Sequence, residues 1–406
     1  MVRMHPRGAD AAEGRLELAH IFERHGAAYR AAHALVPVQH QAMRAIAACR
    51  TAALGGHLAQ CDVCGVQRYA YHSCRSRHCS KCQTLAKERW LAARRAELLP
   101  VPYFHLVFTV PHALNTLAQG NPRLLYGMLF QSVSATLIEF GANARWLGGE
   151  IAATLILHTW GQTLTQHLHL HCLVAAGALH ADGHWIDARR GFLFPVQALS
   201  QVFRGKFLSA LTDAFNTAAL KLSGASATLA QASPRQRLFS ALREHAWVVY
   251  AKKPFGGPQQ VLDYLGRYTH RVALSNGRLL SFDSDEVRFR YQDYAHGNRR
   301  KVMRLDATEF IRRFLLHVLP RGFMRIRHYG LLANRGKQLK LAQARSALDQ
   351  PPPAPRPSRP ESVEAFWLRV AKLDIHQCPH CHAGHMVIID SLHSHFARGP
   401  PALPFA

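Results

Sequence analysis

The stretch "HLHLHCLV", residues 167–174, restricts what this chain can fold into more than any other segment. In an extended strand successive side chains point to opposite faces, so His167, His169 and His171 share one face while Leu168, Leu170 and Cys172 share the other. The apolar side anchors such a strand in a core. The other side presents imidazole nitrogens about 7 Å apart along the strand. A single histidine there would read as ordinary polarity on a half-buried strand. Three in five residues read as a metal site, because neutral imidazole is the commonest metal ligand. One strand cannot complete a coordination shell, so partners must come from elsewhere in the chain.

Charge narrows the class of partner. The 406 residues include 50 Lys and Arg against 25 Asp and Glu, a formal net charge of +25, and the pI is near 10.3. That balance calls for a polyanion, nucleic acid foremost. A membrane surface would also attract it, but no basic amphipathic segment has the apolar face that insertion needs. The opening "MVRMHPRGADAAEGRLELAH" lacks the apolar run of a signal peptide. The apolar run from Ile151 to Ala181 holds five histidines and two glutamines, which make membrane insertion costly. A cytoplasmic protein with no membrane partner is expected, and 48% hydrophobic residues suffice for a core and two or three domains.

Six of the nine cysteines fall between residues 49 and 82, with two more at 378 and 381. In a chain without an export signal, such clustering reads as metal binding rather than disulfides. Within "HLAQCDVCGVQRYAYHSCRSRHCSKCQ", 14 residues separate Cys61-x-x-Cys64 from Cys79-x-x-Cys82. Two such knuckles can close a tetrahedral zinc site, and Gly65 suits the tight turn after the first. Cys74 and His78 are surplus: with His57 or His72 they build a second zinc site, or Cys74 is simply buried. Arg75, Arg77 and Lys81, with Arg68, Lys87 and Arg89 and the interleaved Tyr69 and Tyr71, suit DNA phosphates and exposed bases. Cys378-Pro-His-Cys381 supplies half of a further site, to be completed by His376, His382 or His385 if it binds zinc at all.

Helical patterns cover residues 11–50, "LAKERWLAARRAELLP", 122–146, 196–222 and 234–246. "YFHLVFTVP", "TLILHTW" and the histidine strand continuing to Leu179 read as strands, with "AWVVYA" a further one. Short β-rich segments around "GRLLSF" and "EVRFRYQDYA" precede a helix, "DATEFIRRFLLHVL". "PPPAPRPSRP", residues 351–360, is an extended polyproline linker. A helix opening at Pro258 sets Tyr264 and Tyr268 four residues apart on one face. Tyrosines at this spacing usually pack. Beside a histidine metal strand in a basic chain they read as nucleophiles, although a phenol with a pKa of about 10 needs a metal to polarise the phosphate it attacks.

Taken together, "HLHLHCLV" and "YLGRYTHRVALSN" resemble the HUH endonucleases, specifically the two-tyrosine rolling-circle transposases of bacterial insertion sequences. The likeness extends through "FTVPHALN", "LHTWGQ", "WVVYAKKPFGGP", "FIRRFLLHVLPRGFMRIRHYGLLANRGK" and the zinc segment "YHSCRSRHCSKCQ", nearly all of residues 15–335. The resemblance implies an α+β fold. Residues 99–345 would form a ferredoxin-like nuclease core, an antiparallel sheet with flanking helices. A helical zinc-binding DNA-recognition domain (1–98) would precede it, and a Pro-rich linker (346–363) and a tail (364–406) would follow.

The resemblance also implies the site. Tyr264 and Tyr268 would attack single-stranded DNA at transposon ends and target, leaving a 5′-phosphotyrosine link and a free 3′-hydroxyl. His169 and His171 would hold Mg²⁺ or Mn²⁺, with a third ligand from Gln162, His158 or His167, Gln162 being preferred. Arg267 and Arg271 would grip the DNA backbone, and Zn²⁺ would sit in the N-terminal domain; a homo-oligomer is left open. A plasmid replication initiator or relaxase would use the same chemistry, but those often carry a helicase. "GLLANRGKQ" misses the P-loop pattern by one residue of spacing and by Gln338 in place of Ser or Thr. A zinc-dependent DNA-binding regulator without catalysis would account for the cysteines and the charge, but not for the histidine row or the tyrosine pair.

Overall fold

In the computed structural model, which describes residues 16–189, 191–255, 260, 261, 264, 266, 273–294, 296–351 and 361–394, the chain opens with two packed helices. Helix α1 (Leu18–Ala32) buries Leu18, Phe22 and Tyr29 at helical spacing, and α2 (Pro37–Ala48) buries Met43 and Ile46. Pro37 occupies the first turn of α2, where a missing N–H costs nothing. An antiparallel hairpin follows, β1 (Gly56–Cys61) with β2 (Gln67–Tyr71), and then α3 (Gln83–Arg95).

The histidine strand lies in a second unit. There β3 (Tyr103–Thr109), α5 (Pro122–Ala142, after the short α4, Asn115–Gly120), β4 (Glu150–Trp160), β5 (Gln166–Leu179), α6 (Val196–Asn216) and β7 (Val249–Phe255) follow one another. The elements β6 (Trp185–Asp187) and α7 (Ala232–Glu244) are inserted among them. The spatial order is β11-β4-β5-β3-β7, with β11 (Ile326–Gly330) at one edge and β6 paired to β5; every pairing is antiparallel. A β-α-β-β-α-β chain whose first and third strands lie in the middle is the ferredoxin-like arrangement. The expected α+β core is therefore present.

Alternation along the strands gives the sheet two unlike faces. On one, Leu106, Phe108, Leu155, Leu168 and Leu170 pack with Phe130 and Phe203 of α5 and α6 in the main core. Each such fully buried side chain contributes about 1.5–3 kcal/mol. Helix α5 is long and apolar enough to cross a membrane by length and composition, yet it buries Leu129, Phe130, Val133 and Leu137 in this core. The apolar run 151–181 is likewise not a spanning helix but the hairpin β4–β5. The opposite face carries Tyr103, Ile156, Leu173 and Ala175 in a smaller core with Val261, Leu331 and Leu341. Further along, that same face carries histidines.

The remaining strands join the first unit. A meander of β8 (Leu279–Asp283), β9 (Glu286–Asp293) and β10 (Arg299–Asp306) leads into α8 (Ala307–Leu315), and β12 (Met386–Leu392) adds to the free edge of β1. Contacts group the described residues of 1–88, 274–312 and 356–406 together, and those of 89–273 and 313–355 together. The backbone N–H of Leu18 donates to Asn276 Oδ1, and Arg24 and His25 both meet Asp285, ties that local patterns do not reveal.

Candidate metal and nucleophile site

The antiparallel register sets His158 of β4 opposite His169 of β5, and His171 follows two residues along on the same face. The ligating atoms of the three side chains all lie within 4.8 Å of one another. His169 Nε2 and His171 Nε2 are 3.2 Å apart. Neighbouring ligands about 2.1 Å from one octahedral cation stand about 3.0 Å apart, so the pair already has the spacing of two adjacent ligands. His169 Nδ1 donates to the carbonyl of His167 at 2.9 Å, which leaves the Nε2 lone pair directed into the cluster. Burial, then His167, pushes the His169 pKa down to about 3, so the ring is neutral and able to ligate at physiological pH.

Two further groups extend the cluster. His105, at the centre of β3 and 4% exposed, lies on the same sheet face, because Val107 is the residue directly opposite His171. Its Nε2 is 2.9 Å from His171 Nδ1 and its Nδ1 is 3.0 Å from Tyr264 Oη. Burial, then Lys252, pushes the His105 pKa down to about 4. Tyr264 sits on a helical segment whose Val261 is buried in the smaller core. Gly266 permits that approach, since a Cβ there would come within 2.9 Å of Leu91 Cδ1. The phenol and imidazole groups, almost a hundred residues apart in sequence, thus meet in one place.

The structure places the other expected residues as follows. Of the candidate third ligands, His158 is brought to the pair by the register, and Gln162, the one preferred on sequence grounds, lies in the 161–165 turn beyond the end of β4. His167 stays on the histidine face but contacts His112, with nitrogens 3.1 Å apart, and is not one of the converging three. Tyr268, Arg267 and Arg271 lie outside the described residues. His105 escapes sequence reasoning, because one histidine in "YFHLVFT" leaves no periodic trace.

The cysteines also regroup. Cys61 and Cys64 do not meet Cys79 and Cys82; the tetrads are Cys49, Cys74, Cys79, Cys82 and Cys61, Cys64, Cys378, Cys381. The hairpin is the reason. Cys61 and Cys64 occupy its tip, whereas Cys74 to Cys82 follow its base, where Arg50 N–H bonds to His72 O. Arms of this length hold tip and base about 17 Å apart. Cys49, at the C-terminal end of α2, is a ligand candidate that spacing does not reveal; its Sγ is 3.4 Å from Cys82 Sγ, and Cys74 Sγ is 3.6 Å from the same atom. His78 joins neither tetrad. Arg75 is exposed, Arg77 is half-buried, and Lys81 is engaged by Glu17.

Compared with known families, residues 152–339 match the one described as putative transposase, and residues 21–110 match the one described as transposase zinc-binding domain. The chain is 49% identical over 388 residues to the putative transposase y4qJ of Sinorhizobium fredii, covering 95% of this chain and 97% of that protein. It is 29% identical over 320 residues to the transposase for insertion sequence element IS801 of Pseudomonas savastanoi pv. phaseolicola, covering 76% of this chain and 74% of that protein. No solved structure matches it. His158, His169, His171 and Tyr264 fall in the first matched segment, and Cys49, Cys74, Cys79 and Cys82 fall in the second.

Proposed function

The chain belongs to the insertion-sequence transposases that join an IS91-type zinc-binding domain to a two-tyrosine transposase domain, and on that premise we propose that it moves DNA by cutting and rejoining single strands through a phosphotyrosine. The observation carrying this reading is the contact of Tyr264 Oη with His105, itself bonded to His171 of the imidazole cluster. Tyr264 Oη forms a bond to the scissile phosphorus as the bond from phosphorus to the 3′-oxygen breaks. The phenol proton passes to solvent, and the departing oxygen takes up a proton to become a free 3′-hydroxyl. The 5′-phosphate remains on tyrosine. Because the phosphodiester energy is retained, a 3′-hydroxyl attacking that link rejoins DNA without ATP. Tyr268 provides a second nucleophile while the first end stays attached, as peeling and transferring one strand requires.

Three converging imidazoles, with His169 kept neutral by burial, suit a divalent cation, and the all-nitrogen set favours Mn²⁺ over the more oxygen-seeking Mg²⁺. Bound there, the ion would polarise the phosphate oxygens and offset their charge. The side chains then have defined proton positions. With Nε2 of His169 and His171 committed as ligands, His169 keeps its proton on Nδ1 for His167 O. His171 keeps its proton on Nδ1 for His105 Nε2, and the remaining His105 proton sits on Nδ1, aimed at Tyr264 Oη. A hydrogen bond donated to the phenol oxygen stabilises the phenolate that attacks.

DNA also accounts for an otherwise unfavourable surface. Arg288 and Arg304 stand directly opposite each other on β9 and β10, and Arg290 and Arg300 share their exposed face. Glu286 pairs with Arg288, but Arg290, Arg300 and Arg304 add further positive charge to the same face; like charges across a pair of strands repel, and a phosphate backbone relieves this. Cys49, Cys74, Cys79 and Cys82 form a closed four-thiolate site for Zn²⁺, whose role is structural. The protein would act in the cytoplasm, on the DNA held there.

The test is incubation with single-stranded oligonucleotides from the element's ends and Mn²⁺ or Mg²⁺, followed by mass spectrometry of the DNA-linked peptide. An adduct on Tyr264 or Tyr268, abolished when both are changed to Phe, is expected. Protein that binds DNA yet never forms an adduct, whatever the metal or sequence, would instead be a non-catalytic regulator.

A further inference from the structure

We infer that Cys61, Cys64, Cys378 and Cys381 form a second zinc site, one that fastens the far end of the chain to the N-terminal hairpin. Cys61 Sγ is 3.7 Å from Cys381 Sγ, and Cys64 Sγ is 3.8 Å from Cys378 Sγ. Sulfurs placed 2.3 Å from one tetrahedral zinc stand about 3.8 Å apart, whereas a disulfide would bring a pair to about 2.05 Å. Four thiolates fill every position of a tetrahedral ion, so the site is closed and structural rather than catalytic.

A similar turn is built twice, starting at Cys61 and again 317 residues later at Cys378. In the first, Cys64 N–H donates to Cys61 Sγ at 3.4 Å, Gly65 N–H donates to Cys61 O at 3.1 Å, and Gly65 takes a left-handed φ of 71°. In the second, His380 N–H donates to Cys378 Sγ at 3.4 Å, His382 N–H donates to Cys378 O at 3.0 Å, and His382 takes a φ of 55°. Gly384 N–H adds a donor to Cys381 Sγ at 3.4 Å. Amide protons aimed at sulfur favour the thiolate form that a metal requires. Left-handed backbone is uncommon for a residue with a Cβ, and at His382 it reproduces what Gly65 does in the first turn.

The two turns also interlock. His385 N–H donates to Asp62 Oδ1 at 2.7 Å, and Asp62 N–H donates to His385 O at 3.1 Å. Gly384 approaches so closely that a Cβ would lie 2.6 Å from both Cys61 Sγ and Asp62 Oδ1. From there β12 runs antiparallel to β1, from Cys61 opposite Met386 to Gly56 opposite Leu392. Cys61 and Cys64 lie in the segment matched as a zinc-binding domain, whereas Cys378 and Cys381 lie outside both matched segments. The complete site therefore exists only when the tail returns, and its ion holds β12 in place.

Zinc content of the full chain, measured by mass spectrometry beside hydrogen exchange of residues 386–392, tests this. Two zinc ions per chain are expected in the unaltered protein. Cys378→Ser with Cys381→Ser should lose one of them and abolish the exchange protection of 386–392. Cys79→Ser with Cys82→Ser should also lose one while leaving that protection intact. Gly384→Val keeps all four thiols but forces a side chain against Cys61, and should reproduce the loss without removing a ligand. Undiminished zinc in both tail variants, or slow exchange of 386–392 in either, would overturn the inference.

Discussion

Replacing His105 by Phe separates the two tasks assigned to that side chain. Phe fills the space of the buried ring but removes both nitrogens, one 2.9 Å from His171 Nδ1 and the other 3.0 Å from Tyr264 Oη. Loss of a hydrogen-bond partner behind a metal-bound histidine typically costs 10- to 100-fold in metal affinity or activity. Loss of a hydrogen-bond donor aimed at charge on the reacting oxygen typically costs 10²- to 10³-fold in rate, about 2.7–4 kcal/mol on the barrier. Only the first is recoverable by adding metal.

The expected result is therefore split. In single-turnover cleavage of an end-derived oligonucleotide, His105→Phe should shift the half-saturating Mn²⁺ concentration upward by about one to two orders of magnitude. At saturating Mn²⁺ the rate should remain depressed by about 10²- to 10³-fold. Oligonucleotide affinity should not change, because His105 is buried in the sheet. A purely structural role would lower thermal stability and DNA binding together and would not divide in this way. Full recovery of the wild-type rate at saturating Mn²⁺ would refute the role of the Nδ1 proton, and an unchanged metal requirement would refute the contact with His171.

Three further outcomes follow from the same geometry. His158→Ala should raise the Mn²⁺ needed for adduct formation by about 10-fold or more, as loss of a ligand demands, whereas Gln162→Ala should leave it near wild type; the reverse order in a Mn²⁺ titration would restore Gln162 as third ligand. Arg288→Ala with Arg304→Ala should lower single-strand affinity and make its salt dependence shallower by roughly 0.7 for each phosphate that the variant ceases to neutralise, and an unaltered slope would remove that face from the DNA path. His317 donates from Nε2 to Leu164 O and bonds through Nδ1 to Thr159, and burial pushes its pKa down to about 4. Its folded value lies below the unfolded value of about 6.5, so the unfolded chain binds the proton more readily and stability falls as pH drops from about 6.5 to 4. The fall should approach 1.4 kcal/mol per pH unit for this group. His317→Gln should flatten the plot of urea midpoint against pH across that window, and an equal slope in the variant would assign the acid sensitivity to other buried histidines.

Where the sequence was legible, a short period carried the information. In β5 the alternation of imidazole with Leu168, Leu170 and Cys172 reveals both the strand and the shared face of His169 and His171, because period two is a property of the strand itself. His105 has no such period. It becomes part of the site only through the pairing of β3 with β5, which joins it to a residue 66 positions away. Spacing misled for the cysteines, since C-x-x-C logic joins near neighbours in sequence while the β1–β2 hairpin carries those neighbours to opposite ends. Strand β10 has no legible pattern because Arg299, Arg300, Lys301 and Arg304 replace the expected apolar alternation; Val287 and Phe289 of its partner β9 supply the buried face. The interleaved first unit depends on ties such as that of Leu18 to Asn276, 258 residues apart, which no local window contains.

The two faces of the sheet are energetically linked, which explains how three imidazoles can be gathered in a buried place. Burial there excludes the charged form of His169, whose pKa is pushed down to about 3, so the cluster costs stability wherever a free imidazole would take up a proton. A one-residue slip of β5 against β4 would relieve it by turning the histidines over, but it would also turn Leu168, Leu170 and Cys172 away from the core they share with Phe108 and Phe130. Exposing the two leucines alone costs about 3–6 kcal/mol, so the apolar face holds the register that the histidine face needs. The pairing shifts register between His158 and Trp160, and such irregularities commonly re-aim a side chain beside a site. His158 stacks on Trp160, ring centroids 4.6 Å apart, while its partner across the strands is His169. The shift lies beyond the stretch that locks the register, so β4 can turn His158 toward the pair without disturbing the core beneath it.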